Sequence, residues 1–155
     1  MDRENFSAAV TAHQDSLYRL ALSICGNPAE AEDAVGEAIL RAWDKLPSLR
    51  DDGAFRPWIF RILTNICRTN RKRDRLYLPL EEAVLSASDN TEPGVWEIIA
   101  ALEETHRIVI LLFYYEEFSV KEIAKILGVT PGAVKTRLSR ARVRLKEELE
   151  QYERI

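Results

Sequence analysis

Apolar residues recur along this chain at intervals of three and four, the period of a helix, and no stretch alternates apolar and polar as a half-buried strand does. The pattern is sharpest toward the C-terminus. Val120, Ile123, Ala124 and Leu127 form one apolar face, and Val134, Leu138, Ala141, Leu145 and Leu149 resume a stripe after Gly128. Ser119 and Glu122 stand at capping-box spacing, which satisfies two amide donors at a helix start. Gly128 takes the left-handed conformation that ends a helix at little cost. Thr130 suits an N-cap and Pro131 the first helical position. The spacing predicts helices over 119–127 and 131–152 joined by a tight turn. Lys135, Thr136, Arg137, Ser139 and Arg140 fall off the apolar stripe of the second. This is the layout of a helix-turn-helix whose second helix enters the major groove of DNA. An ordinary helical hairpin with a solvated basic face is the plainer alternative.

The same period predicts helices over 5–25, 28–46, 54–74 and 95–115. In the first, Phe6, Val10, Leu17, Leu20, Ala21 and Ile24 point inward. Gly26-Asn27-Pro28 breaks the pattern; Asn27 caps the next helix, with Pro28 at its first position and Glu30 completing a capping box. That helix turns Ala31, Ala34, Val35, Ala38, Ile39, Ala42 and Trp43 inward and ends before Pro47. Residues 47–53 are a loop. Residues 76–94 are polar and acidic and end in Thr-Glu-Pro-Gly, the composition of a linker. The fold class is therefore all-α: two small helical domains, residues 1–75 and 95–155, joined by a flexible acidic linker, the second ending in the helix-turn-helix.

Charge changes this picture by its distribution. The net charge of the 155 residues is −3, the wrong sign for a nucleic-acid binder. Yet residues 56–75 carry +6, residues 119–146 carry +7, and residues 76–104 between them carry −7. DNA responds to the local field, so two cationic blocks suffice as footprints. In the helix over 54–74, Phe55, Trp58, Ile59, Ile62, Leu63, Ile66 and Cys67 form the core face. Arg61, Asn65, Arg68 and Lys72 form a separate polar stripe, and Arg71, Arg73 and Arg75 extend its field. Cations position a phosphate backbone, and an Asn can hydrogen-bond a base edge. The helix over 28–46 carries Asp33, Glu37, Leu40 and Asp44 on one outer side, an acidic stripe with a leucine that suits a basic protein partner. A plain solvated face explains either stripe taken alone.

Little points to catalysis. His13 and His106 are the only histidines, without a Ser, Cys or metal ligand at a recognised spacing, and no glycine-rich phosphate loop is present. Cys25 and Cys67 form no CxxC pair and read as buried, inert thiols, so neither a metal site nor a cofactor is expected. No apolar run reaches the roughly 20 residues of a membrane span, and Met1-Asp-Arg-Glu-Asn is no signal peptide, so a cytoplasmic location without membrane insertion is expected. A free-standing regulator using only the helix-turn-helix would explain residues 119–142 but leaves 56–75 without a purpose.

Several strings taken in order give the chain a family likeness: Ala31-Glu-Asp-Ala-Val, Ala54-Phe-Arg-Pro-Trp-Ile-Phe-Arg-Ile, Asn65, and Glu122-Ile-Ala through Arg142. They resemble the bacterial RNA polymerase sigma factors, specifically the extracytoplasmic-function group, over nearly the whole chain. The resemblance implies a promoter-specificity subunit with no catalysis of its own, which binds core RNA polymerase and reads promoter DNA. It implies that Asp33, Glu37 and Leu40 lie on the helix gripping the clamp helices of the large subunit. It places Leu49, Arg50, Asp51, Asp52 and Gly53, with Asn65 and Thr69, at the pocket for an unstacked base of the −10 element. Lys135, Thr136, Arg137, Ser139 and Arg140 match the positions that contact the −35 element. The linker resembles a segment that threads the RNA exit path, where Glu81, Glu82, Asp89 and Glu92 would mimic RNA charge. Two departures stand out: Gly36 where the family usually has Gln, and Leu49 where some members have an aromatic. The chain is too short for the inhibitory region of larger members, so restraint by an anti-sigma protein is the implied control.

Overall fold

The computed structural model describes residues 1–73 and 93–153, with the side chains of 71–73 and of residue 93 left aside. Within them the chain forms α1 (Arg3–Cys25), α2 (Pro28–Lys45), α3 (Phe55–Arg73), α4 (Pro93–Ala101), α5 (Glu104–Ile110), α6 (Val120–Leu127) and α7 (Pro131–Glu153), and no strand occurs among the described residues. The acidic residues Glu81, Glu82, Asp89 and Glu92, and Arg75, lie outside the described residues, as does the side chain of Lys72.

Local chemistry sets most of the boundaries. Asp2 accepts from the Asn5 amide and starts α1, and Gly26, at φ 71°, ends it by donating to the Leu22 carbonyl. Asn27 accepts from the amides of Ala29 and Glu30, with Pro28 in the first turn of α2. Between α2 and α3 the loop tightens into two short 3-10 turns, Leu46–Ser48 and Asp52–Ala54. Helix α4 already begins at Pro93, within the stretch expected to be linker.

The helix expected over 95–115 is broken. The chain leaves α4 at Leu102 and re-enters a helix at Glu104. A buried arginine explains how the break is tolerated: the Arg107 guanidinium donates to the Leu102 carbonyl at 2.6 Å and to the Ser23 carbonyl at 3.0 Å. Apolar spacing continues through the break, so periodicity alone does not reveal it. Helix α5 then widens into a π turn, Leu111–Tyr115, closed by the Glu116 amide on the Leu111 carbonyl.

Helices α1, α2 and α3 pack as one three-helix module, and α4 to α7 as a second. A single apolar cluster crosses from one to the other, joining Leu17, Leu20, Ile59, Phe60 and Leu63 to Ile108, Leu112, Phe118, Ile123 and Leu127. A smaller cluster of Trp96, Ile99 and Leu111 sits inside the second module. Cys25 and Cys67, distant in sequence, are buried neighbours; a hydrogen bond from the Cys25 side chain, then burial, pushes the Cys67 thiol far up.

Candidate nucleic-acid interface

The helix-turn-helix is built from local bonds. The Ser119 hydroxyl accepts from the Glu122 amide at 3.1 Å, and the Glu122 carboxylate accepts from the Ser119 amide at 2.9 Å. Gly128 sits at φ 68° and its amide closes on the Ala124 carbonyl, ending α6. The Thr130 hydroxyl accepts from the Ala133 amide at 3.1 Å and starts α7. Val134, Leu138 and Ala141 are buried, which fixes the rotation of α7. Lys135, Thr136, Ser139 and Arg140 are then exposed together on the opposite side. Arg137, expected among them, is half-buried instead. The apolar stripe fades outward: Leu145 is half-buried and Leu149 exposed.

On α3, Arg61, Asn65 and Thr69 are exposed along one side. The Thr69 hydroxyl donates back to the Asn65 carbonyl at 2.8 Å. Arg68 is half-buried and donates to the Leu127 carbonyl, at the end of α6, at 3.4 Å. Burial, then the nearby charge of Arg137, lowers the Arg68 pKa, while Glu104 opposes that shift. The loop before α3 presents Arg50, Asp51, Asp52 and Gly53 to solvent, with Leu49 half-buried. Asp51 has a structural job as well: its carboxylate accepts from the Gly53 amide at 2.9 Å and holds the turn into α3. Leu49, Arg50, Asp51, Gly53, Trp58 and Arg61 line a cleft of about 490 Å³, whose other wall is Glu122 and Lys125 of α6. The loop and the α3 face are thus brought together, with part of the second module closing over them.

The outer side of α2 places Asp33, Leu40 and Asp44 in solvent, Leu40 at 68% exposure. Glu37 is tied to Arg41 one turn on, at 2.6 Å. Trp43, expected inward, is instead 42% exposed at the rim. Its ring meets Phe6 edge-on at 5.3 Å and lies under the Arg3 guanidinium at 5.9 Å. This widens the apolar patch around Leu40. Gly36 is exposed, with open space where a Cβ would stand, so no packing demand explains the glycine.

Sequence patterns did not reveal Arg19, Arg56, Arg107 and Glu116. Glu116 is buried and accepts from Arg19 at 3.2 Å and Arg56 at 2.9 Å, both across the junction between modules. The partners lie 97 and 60 residues away in sequence, beyond the reach of any local period. Among the described residues no cluster of His, Cys, Asp or Glu is arranged to hold a metal ion, and no helix is long and apolar enough to cross a membrane.

Comparison with known proteins agrees with this geometry. Residues 9–76 match the family described as sigma-70 region 2, and residues 94–145 match sigma-70, region 4. The chain is 32% identical to the extracytoplasmic-function RNA polymerase sigma factor SigW of Bacillus subtilis, over 96% of this chain and 90% of that protein. It is also 32% identical to a Xanthomonas campestris protein named "Probable RNA polymerase sigma factor RfaY", over 95% of this chain but only 41% of that longer protein. Among solved structures it is similar to the sigma factor RpoE of Bartonella quintana in complex with the anti-sigma factor NepR. That likeness has a TM-score of 0.77 at 26% identity, over 95% of this chain and 98% of that one.

Proposed function

This chain belongs to the extracytoplasmic-function group of the sigma-70 factors, and from that membership we propose a division of labour among its faces. It is a promoter-specificity subunit: it binds core RNA polymerase and directs where transcription starts, and the chemistry of RNA synthesis belongs to the polymerase. The exposed side of α7, with Lys135, Thr136, Ser139 and Arg140, reads the duplex at the −35 element through the major groove. The side of α3 carrying Arg61, Asn65 and Arg68, with the loop of Leu49 to Gly53, holds the −10 element. Extruding a base there costs a few kcal/mol, which contacts in the cleft beside Trp58 offset. Asp33, Glu37, Leu40 and Asp44, joined by Trp43, form the polymerase-binding side of α2. An anti-sigma protein is the expected restraint.

The observation that carries this reading is the doubly capped helix-turn-helix with four polar and cationic side chains bare on its second helix. It supports reading the C-terminal module as a duplex binder. The test is transcription from a randomised promoter library by purified core polymerase with and without this chain. Selection of two conserved elements, one changed by Arg140→Ala and the other by Asn65→Ala, supports the assignment. Two elements unmoved by either substitution would overturn it. Asp33→Arg should abolish co-purification with core polymerase while the helical content stays the same.

A further inference from the structure

We propose that Arg142 of α7, gripped by Tyr114 and Phe113 of the π turn, is a preset anchor for one phosphate of the DNA backbone. This rests on the reading of α7 as a duplex binder, and adds to it a contact that carries no sequence information.

Arg142 is exposed, yet its guanidinium is held in place. It lies 5.5 Å from the centre of the Phe113 ring and 5.7 Å from that of Tyr114, within cation–π range of both. The two rings meet edge-on at 5.0 Å and form a corner for it. Its Nε donates to the Tyr114 hydroxyl at 2.7 Å. Both rings come from the widened turn Leu111–Tyr115, a local helix expansion of the kind that collects at functional sites. Such a grip removes rotamer freedom before any ligand arrives, which an unheld arginine loses only on binding.

The bonding leaves the donors that a phosphate needs. An arginine carries five N–H donors, and Tyr114 uses only the one on Nε, so the two Nη groups keep their planar fork. The Tyr114 oxygen accepts from Arg142, and its own O–H remains to donate. Tyr114 is 49% exposed, so that proton reaches a ligand. Charge points the same way. Among the described residues Arg142 forms no ion pair with a carboxylate, whereas Arg144 is taken up by Glu147 at 2.8 Å and Glu148 at 3.6 Å. A cation fixed without an internal counter-charge is left for an external anion. Placement agrees. Lys135, Ser139, Arg142 and Lys146 fall at i, i+4, i+7 and i+11, one exposed row that borders the side carrying Thr136 and Arg140. Arg142 stands about 10 Å along the axis from Lys135. The major groove is about 12 Å wide, so the border of a helix lying in it meets the phosphate wall and not the base edges.

Binding of the full chain to a labelled random-sequence duplex pool of roughly 30 base pairs, from about 50 to 200 mM salt, tests the anchor. Arg142→Gln should weaken binding about tenfold at the low-salt end and flatten the slope of log K against log salt by about 0.9, the share of one phosphate. Base preference in the transcribed promoter library should stay as it is, unlike that of Arg140→Ala. Tyr114→Phe keeps the ring and the cation, and should weaken binding about threefold at unchanged slope. Arg144→Gln removes the same charge from a cation already paired, and should flatten the slope less. An unchanged slope in Arg142→Gln at unchanged helical content makes Arg142 a brace for Tyr114 and overturns the anchor. An equal change at 144, or an altered base preference in Arg142→Gln, overturns it as well. If Arg142→Gln loses helix, Tyr114→Phe decides, and wild-type binding by that variant overturns the anchor. Should Arg140→Ala still shift base preference, the anchor alone has failed; if neither substitution changes binding or preference, the reading of α7 has failed with it.

Discussion

Helices α3 and α7 both carry a cationic face, and they hold it in different ways. On α7 the rotation is set by Val134, Leu138 and Ala141 within its own module, and Lys135, Thr136, Ser139 and Arg140 are left bare. On α3 one side is buried in the first module, and a second part is covered by the other module through Arg56, Phe60 and Arg68. The face proposed to read duplex is thus exposed, while the face proposed to hold single strand is partly covered. A major-groove helix needs only rigidity and exposure. A base pocket needs walls, and walls that close over a pocket also serve to cover it.

Breaking the shared junction is the strongest way to separate the two helices. Phe118 is 2% exposed and packs on Phe60, itself fully buried, so Phe118→Ala removes a ring from the core that both modules share. Truncating a buried phenylalanine costs about 3–5 kcal/mol. Chemical denaturation should show that loss. If the modules were independent, the loss would fall on the second module alone, and an unfolding probe such as Trp43 or Trp58 would not move.

The next test separates the readers by what they read. Arg140 is exposed on α7. Arg140→Ala should lose about 1–3 kcal/mol of discrimination at one upstream base position and none downstream, since a base-reading pair is worth that much. The measurement is promoter preference in a transcribed library. A uniform loss over all sequences would instead make Arg140 a phosphate contact.

The contrast also explains what was legible in the residues. The helix-turn-helix could be read because Ser119, Glu122, Gly128 and Thr130 act within three or four positions of themselves, and the structure shows each bond. The α3 stripe was legible as a pattern, but the half-burial of Arg68 was not, because its partner carbonyl lies 59 residues on. Trp43 was misplaced for a related reason. It falls on the inward side of the α2 period, yet α1 meets it at the rim, with the edge of Phe6 and the Arg3 guanidinium. The break after Ala101 was hidden because Arg107 serves the Leu102 carbonyl at the break while also bonding the Ser23 carbonyl of α1. Local caps announce themselves, whereas long-range ion pairs leave no period.

A smaller perturbation sharpens the point about local capping. Ser119→Ala removes one half of the capping box and should cost about 1 kcal/mol. Because α6 both starts the helix-turn-helix and walls the α3 cleft, hydrogen exchange should rise at α6 first. Protection of α1 and α2 should stay unchanged. Equal loss in all helices would show that the two modules open only together.

The finest test uses a titrating group beside the Arg19–Glu116–Arg56 junction between the modules. His13 of α1 stacks on Phe55 at 6.4 Å, and its pKa is lowered by burial first and then by the Arg56 charge, with Glu116 opposing. The native chain therefore keeps His13 neutral at pH values where the unfolded chain, with a pKa near 6.5, has taken a proton. Across that window the unfolded state binds more protons, so stability rises with pH and is complete above about 7.5. The expected signature is a denaturation midpoint that falls as pH drops from about 7.5 toward 5. His13→Gln should flatten that part of the slope and leave the lower, carboxylate-driven part alone. A slope the same in both proteins would show that Arg56 and Glu116 satisfy one another so fully that a proton on His13 goes unnoticed.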